Sequence, residues 1–491
     1  MENKYQLAIV MITYIVLLIS WGIFQGRKVK SSADFSIGGR KLPGWAAALS
    51  ERATGESSWA LLGLPGAAYA SGLTEIWTAV GCVVGIVTAW AALSWRLNAE
   101  AAKYEANTFT DYLAKKHSEF GKWVRVISSA TIVFFFFFYV GAQFLGGGKT
   151  LHTMFGLDVK YGMLIAAAVI IPYTMYGGFQ SVVYTDVIQA LIMIFTLIAG
   201  PIVGYLYLAN HPEIYAQSIS SALQSAGDSY ISLTGAASGF GIGVVIVGGF
   251  SWFFGYLGGQ PQLTTRFMAI RDMKQAKKAR NIGIIWTLFA YLGALSLGWI
   301  GLAIFGPTGL ADRELVMPSV ILKLFHPVMA AVLITGAIAA MVSTADSLLV
   351  LSATEFSENI LKPLLKNKKS DENFLLRLSR LVTLGLAIIA LILAIILADY
   401  KLIFTLVSYV WAGIGGTFSI VILFGLFWKR FHGIPAIITI ISGMAFTIIW
   451  ISTGMDKVFT SRILTFLVAG IVAVISTLLI QKKSLNTLEN A

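Results

Sequence analysis

Four groups of residues in this sequence combine types and spacings that could do chemistry. The richest is AAMVSTADSLLV, Ala339 to Val350, where Ser343, Thr344, Asp346 and Ser347 bring three hydroxyls and a carboxylate together, within about one helical turn. An all-oxygen donor set suits a hard cation such as sodium, as it suits calcium and magnesium. Serine and threonine in a helix can also bond back to the carbonyl four residues earlier; that explains the hydroxyls but not a carboxylate deep in an apolar helix. The second group, SERATGESSW from Ser50 to Trp59, sets Glu51, Arg52 and Glu56 inside an otherwise apolar stretch. Arg52 and Glu56 lie at i, i+4, share a helix face and can pair. A break near Gly55 would free carbonyls as ligands for a polar solute or an ion, whereas an unbroken pair would only stabilise a kink. The third is Asp186 in VVYTDVIQ, which reads equally as a functional carboxylate and as a helix cap or first-turn aspartate favoured by the helix dipole. The fourth is aromatic: Tyr139, Trp252 and Tyr256. Aromatics at helical spacing usually pack or sit at a membrane interface, and the run Phe134 to Phe138 reads as lipid-facing bulk. Trp252 and Tyr256 stand out because a glycine-rich interruption follows them.

These groups must be positioned by membrane helices. The 491 residues are 57% hydrophobic and only 12% charged, with a mean hydropathy of +0.78. A soluble domain carries about 25% charged residues, so this composition predicts an all-α polytopic membrane protein. A hydrocarbon core of about 30 Å needs roughly 20 apolar residues per helix. Thirteen segments qualify, near 7–26, 44–70, 75–95, 124–150, 161–178, 186–209, 236–258, 282–306, 326–352, 378–398, 402–428, 432–453 and 461–481. The first lacks a basic leader and a small-residue cleavage site, so it reads as a retained span. Basic residues cluster in 27–41, 96–125, 266–280 and 362–380, with Lys429, Arg430, Lys482 and Lys483 continuing the alternation. The positive-inside rule places that side in the cytoplasm, with the N-terminus outside and the C-terminus inside.

The same inventory excludes several classes. The single cysteine, Cys82, allows no intrachain disulfide and no thiolate metal site, and the five histidines lie outside or at the ends of the apolar segments, against a haem. The net charge of +12 resides in short loops, so it reads as topology rather than as a nucleic-acid surface. Gly239, Gly241 and Gly243 mimic part of a dinucleotide fingerprint but read as close helix packing. No nucleophile–base–acid set appears in a loop long enough to fold, so an enzyme is not expected.

The second and seventh segments are interrupted, the one by SERATGESSW and the other by Gly248, Gly249, Gly255, Gly258, Gly259, Gln260 and Pro261. They lie five segments apart and so cross in opposite directions, the arrangement that marks a transporter binding site between inverted repeats. This predicts a ten-helix transport core over 44–428, with repeats near 44–209 and 236–428. The first helix and its loop (1–43) and the last two helices (429–491) are then peripheral. Ionisable residues at membrane depth cost about 2.5–3.5 kcal/mol each on insertion scales, which favours a polar cavity around them.

The motifs DFSIGGR (Asp34 to Arg40), SSWALLGLPGA (Ser57 to Ala67), YTD (Tyr184 to Asp186), GQPQLTTRFMA (Gly259 to Ala269), MVSTADS (Met341 to Ser347) and LVSYVWAG (Leu406 to Gly413) resemble the sodium:solute symporter family, and within it the bacterial sodium/proline branch. The resemblance implies a LeuT-type core of two inverted five-helix repeats. It implies a sodium site formed by the carbonyls of Ala53, Glu56 and Ala340 and the hydroxyls of Ser343 and Thr344. Some relatives hold a second sodium, which here would use Asp186, Ser343, Asp346 and Ser347. The proline branch suggests Ser58, Trp59, Tyr139, Trp252, Tyr256 and Pro261 as solute contacts. This chain departs from that branch at Gly55, where the branch has an essential aspartate, at Glu56 (a methionine), at Arg52 (a glycine), and by one extra residue between Tyr256 and Pro261. Arg52, Gly55 and Glu56 therefore join the candidate solute contacts, Arg52 either neutralising Glu56 or holding a solute carboxylate. The expected activity is import of a small polar solute across the cell membrane with sodium (Na+) as coupling ion. Proline or a related amino acid comes first, a monocarboxylate or sugar-like solute second, and a sodium channel or transporter-derived sensor is the reading from another class.

Overall fold

A computed structural model describes residues 2–27, 35, 40–106, 108–362, 372–398 and 402–480. Lys28, Lys30, the DFSIGGR motif apart from Phe35 and Arg40, the basic stretch 363–371, Lys482 and Lys483 lie outside the described residues. Among the described residues the chain is helical, with one isolated parallel bridge between Leu42 and Ile270.

The order begins with α1 (Glu2–Gly26), α2 (Gly44–Ser58), α3 (Leu64–Ser71), α4 (Ile76–Thr88), α5 (Ser94–Lys103), α6 (Phe109–Lys116), α7 (Gly121–Phe155) and α8 (Val159–Asn210). Short α9 (Ile219–Ala226) and α10 (Asp228–Ile231) lead to α11 (Phe240–Phe250), α12 (Trp252–Gly255), α13 (Pro261–Ala269), α14 (Met273–Phe305) and α15 (Val316–Leu324). The chain continues with α16 (Pro327–Phe356), α17 (Glu372–Leu397), α18 (Ile403–Val410), α19 (Thr417–Phe427), α20 (Gly433–Ser452) and α21 (Ser461–Leu479). Wider turns of π type join α2 to α3 at Trp59–Gly63, α4 to α5 at Ala89–Leu93 and α18 to α19 at Trp411–Gly416; such bulges often mark functional sites.

Among the described residues, ten stretches are long and apolar enough to cross a membrane, or eleven with the bent pair Phe240–Tyr256 and Pro261–Ala269. Two of them run for 60 and 52 residues, about 90 and 78 Å at 1.5 Å per residue, far beyond a core of about 30 Å. Each doubles back at a glycine with positive φ, Gly72 (φ 63) and Gly178 (φ 61), where a side chain would be strained. The return is visible in contacts that no straight helix could make. Trp90 Nε1 donates to Glu51 Oε2 at 3.1 Å, and the hydroxyls of Tyr173 and Thr185 meet across Gly178. With both counted as hairpins the number of spans is about thirteen.

Several local expectations need correction. Arg266 is not a loop charge: it lies on α13, 2% exposed. Lys274, Lys277, Lys278 and Arg280 occupy the first turns of α14 rather than a loop. Phe135 and Phe136 are buried at 4% and 1% exposure, not lipid-facing, because they lie on the face of α7 turned towards its helical neighbours. Gly239 and Gly243 face open space. Close packing falls instead on Gly255 and Gly259, against Trp411 and Gly415, where a Cβ would collide.

Both interrupted stretches are tied together on one face. Leu42, just before α2, exchanges backbone hydrogen bonds with the end of α13: Leu42 N donates to Ala269 O (3.2 Å) and Arg271 N to Leu42 O (3.1 Å). On α7, Lys149 Nζ pairs with Glu314 Oε2 and Asp312 Oδ2, each at 2.6 Å. Glu314 in turn accepts from the amides of Ile403 and Phe404 at 3.1 and 3.0 Å, capping α18, whose first amides have no partner within the helix. A cavity of about 780 Å³ opens beside Lys149 and is lined also by Tyr69, His152, Asp158, Tyr230 and Arg313.

Candidate functional site

The break in the first interrupted stretch is at Ser57, with φ 52 and ψ −166, not at Gly55. Gly55 stays helical, with Arg52 and Leu263 filling the space beside it. Of the amides after the break, Ser58 N donates to Gln143 Oε1 (3.0 Å), and Trp59 N donates to the Glu56 carbonyl and approaches Ser57 Oγ (3.2 Å). The break thus falls on a serine with positive φ, where α7 supplies the acceptor for the following amide.

Below the break, α2 meets α16. Ala53, Glu56, Ala340, Ser343 and Thr344 are all fully buried. Thr344 Oγ1 donates to Thr54 O at 3.0 Å, joining residues 290 apart in sequence. Ser343 Oγ lies near Asp186 without the geometry of a hydrogen bond. The Thr54 carbonyl of the broken helix and the hydroxyls of its neighbour therefore share one buried seam.

Asp186 belongs to a second, adjoining cluster. It is neither a cap nor in a first turn: it sits inside α8, past the Gly178 reversal, at 0% exposure. Its Oδ2 accepts from Ser50 Oγ (2.6 Å) and Thr54 Oγ1 (3.3 Å) and pairs with Arg266 Nη2 (3.2 Å). Arg266 also donates to Ser347 Oγ (2.5 Å), Ser50 Oγ (3.1 Å) and Gln262 O (2.9 Å), and Thr54 and Ser347 share a 3.1 Å hydrogen bond. Asp346 lies beside Asp186 and Tyr173 but forms no ion pair among the described residues. The structure thus places Asp186, Asp346 and Ser347 in one buried cluster. Arg266, Ser50 and Thr54 were not singled out, although all three lie within the quoted motif GQPQLTTRFMA or the patch SERATGESSW.

Arg52 is engaged from two sides. Its Nε and Nη2 grip Glu51, Nε at 2.5 Å, and Nη1 donates to Glu56 Oε1 (2.9 Å) and approaches Thr287 Oγ1 (3.3 Å). The two-point contact expected of a planar guanidinium is made with Glu51, a partner adjacent in sequence and held by Trp90. Each buried cluster holds two carboxyl groups against one guanidinium: Glu51 and Glu56 against Arg52, Asp186 and Asp346 against Arg266. The carboxyl group in excess, in a low-dielectric interior, requires either a proton or a bound cation.

Above the break is an aromatic cluster. Trp59 stacks on Trp252 with centroids 4.4 Å apart and planes at 8°. Trp411 packs against Tyr139 (6.0 Å), Trp252 (5.7 Å) and Tyr256 (5.1 Å), and the Tyr256 and Tyr291 hydroxyls lie 3.1 Å apart. Phe404 closes over both stacked indoles, 6.2 Å from Trp59 and 5.4 Å from Trp252. Ser58 and Pro261 are buried at the two interruptions. Trp411, Tyr291 and Phe404 are the members that the sequence did not single out. Trp411 lies in LVSYVWAG, a motif whose side chains carry no charge to draw notice.

A family model, the sodium:solute symporter family, matches residues 35–443. The osmoregulated proline transporter OpuE of Bacillus subtilis is 33% identical over 446 residues, 90% of this chain and 87% of the relative. The high-affinity proline transporter PutP of the same organism is 33% identical over 438 residues, 89% and 90% of the two chains. A sodium/proline symporter of Staphylococcus aureus is 30% identical over 461 residues, 92% and 87%. Among solved structures, a Na+-coupled sialic acid symporter in a substrate-bound outward-open state superposes with a TM-score of 0.80 at 19% identity, over 98% of this chain and 99% of the other. Mhp1, a nucleobase-cation-symport-1 family transporter in a closed conformation, gives 0.53 at 13% identity, over 91% and 94%. The architecture is that of a LeuT-type transporter core of two inverted five-helix repeats.

Proposed function

The chain belongs to the sodium:solute symporter family, and from that premise we propose that it imports L-proline or a closely related amino acid together with sodium. The observation that carries this is the seam between α2 and α16, where Thr344 Oγ1 meets the Thr54 carbonyl beside a buried cluster with one carboxyl group in excess. We assign the main sodium to the carbonyls of Ala53, Glu56 and Ala340 and the hydroxyls of Ser343 and Thr344. A second goes to Asp186, Ser343, Asp346 and Ser347. The solute pocket is bounded by Ser58, Trp59, Tyr139, Trp252, Tyr256 and Pro261, and the relatives' names supply the substrate class. Repeats over about 44–209 and 236–428, the N-terminus outside and basic loops in the cytoplasm complete the reading.

Sodium joins α2 to α16 and so favours the state in which both helices present their oxygens. It shifts that equilibrium only by its differential affinity for the two states. Arg52 serves this arrangement structurally, since its fork is filled by Glu51 and Glu56. The test is competition against labelled L-proline in proteoliposomes by unlabelled proline, a monocarboxylate and a sugar. Proline should compete best; strong competition by the monocarboxylate or the sugar alone would reject the amino-acid reading.

Two ions make a further expectation. Sodium activation of uptake should be cooperative, with a Hill coefficient above one that falls towards one in Asp346→Ala. A measured 1:1 flux ratio with a wild-type coefficient of one would mean that the second cluster holds no ion.

A further inference from the structure

Helix α21 lies outside the ten-helix core, yet its second residue reaches the aromatic cluster. The Arg462 guanidinium carbon sits 4.7 Å from the ring centroid of Trp252. Its Nε donates to Ser251 Oγ (2.9 Å), its Nη2 to Gly248 O (2.9 Å) and its Nη1 to Ser408 Oγ. All three acceptors are neutral. The carboxylates that act on it through space, Asp456 and Glu75, stand beyond ion-pair distance, and Asp456 instead accepts from the Ser461 amide (2.6 Å). Among the described residues, the buried Arg52, Lys149 and Arg266 each pair with a carboxylate, whereas Arg462 pairs with none.

An arginine at a helix end ordinarily extends towards the headgroups. Arg462 turns inwards, onto the end of α11 where the second interruption begins. A guanidinium offers five N–H donors; the three acceptors leave two, on the terminal nitrogens that form the fork matched to a carboxylate. A guanidinium beside the aromatic cluster creates a positive field that no carboxylate within ion-pair distance cancels. We propose that Arg462 reads the carboxylate of the transported solute, so that a peripheral helix contributes the charge that distinguishes an amino acid from analogues without a carboxylate. This rests on the amino-acid reading above and assigns the recognition to a residue other than Arg52.

The test compares L-proline with L-prolinamide, in which a neutral carboxamide replaces the carboxylate, as competitors of labelled proline uptake in wild type, Arg462→Gln and Arg462→Lys. A charge-assisted hydrogen-bonded contact is worth about 1.5–3 kcal/mol, or roughly 10–100-fold. The preference for proline over prolinamide should therefore fall at least about tenfold in Arg462→Gln and lie between the two in Arg462→Lys, which keeps the charge but not the fork. An unchanged preference in both variants would overturn the proposal. So would equal weakening of both competitors, which would leave Arg462 only as the support of Trp252. Absence of sodium-dependent proline uptake in the wild-type protein would be a separate failure, rejecting the amino-acid reading and with it this assignment.

Discussion

Replacing Ser343 by alanine and Thr344 by valine together is expected to raise the sodium concentration for half-maximal uptake by at least about tenfold, because each lost charge-assisted contact is worth about 1.5–3 kcal/mol. The pair is shape-conserving, and α16 at this level is packed on every side, with Ala339, Ala340, Val342 and Ala345 buried. Insertion and yield should therefore stay near wild type. The one hydrogen bond lost within the protein is that from Thr344 to the Thr54 carbonyl. Sodium activation indistinguishable from wild type would remove both hydroxyls from the ligand set. A single Ser343→Ala substitution should affect both proposed ions, since Ser343 stands between the two clusters; Thr344→Val should affect one.

The largest effect on stability is expected at Arg52. Arg52→Met leaves Glu51 and Glu56 buried together without their shared guanidinium, and losing one partner of a buried ion pair costs about 3–5 kcal/mol. The purified variant should melt well below wild type or fail to accumulate. Arg52→Lys should fall between, because an ammonium cannot reproduce the two-point contact with Glu51. Adding Glu51→Gln and Glu56→Gln to Arg52→Met should recover much of the loss, since buried ion networks can often be replaced by neutral groups at little cost. Melting of Arg52→Met at the wild-type temperature would contradict a structural role for the cluster. A normal melting temperature combined with a greatly raised KM for proline would instead place Arg52 on the solute.

How far the sequence reveals this arrangement varies with the residue. Asp346 is legible because a carboxylate in an apolar helix needs a reason, and the hydroxyls around it supply one. The spans are legible from hydropathy, including the pairs that the structure joins through tight reversals at Gly72 and Gly178. Arg266 is not legible. In sequence it begins a basic run with Arg271 and Lys274, and only the docking of α13 against α2 and α8 shows it to be the partner of Asp186. Asp186 itself looks like a cap because the sequence does not show that α8 resumes immediately after Gly178. The break at Ser57 rather than Gly55 is not legible either: local propensity suggests glycine, whereas the amide after the break finds its acceptor in Gln143, 85 residues later in the chain. The partner of Arg52 follows the same pattern: helical spacing points to Glu56, whereas the two-point contact goes to the adjacent Glu51, whose other partner is Trp90 on the returning helix.

The most direct measurement is uptake of labelled L-proline into proteoliposomes holding the purified protein, with an inward sodium gradient, with equal sodium on both sides, and with potassium replacing sodium. Concentrative uptake that requires the inward sodium gradient and disappears in potassium is the predicted result. Uptake of equal extent in all three conditions, or sodium flux that proceeds unchanged without solute, would contradict coupled symport.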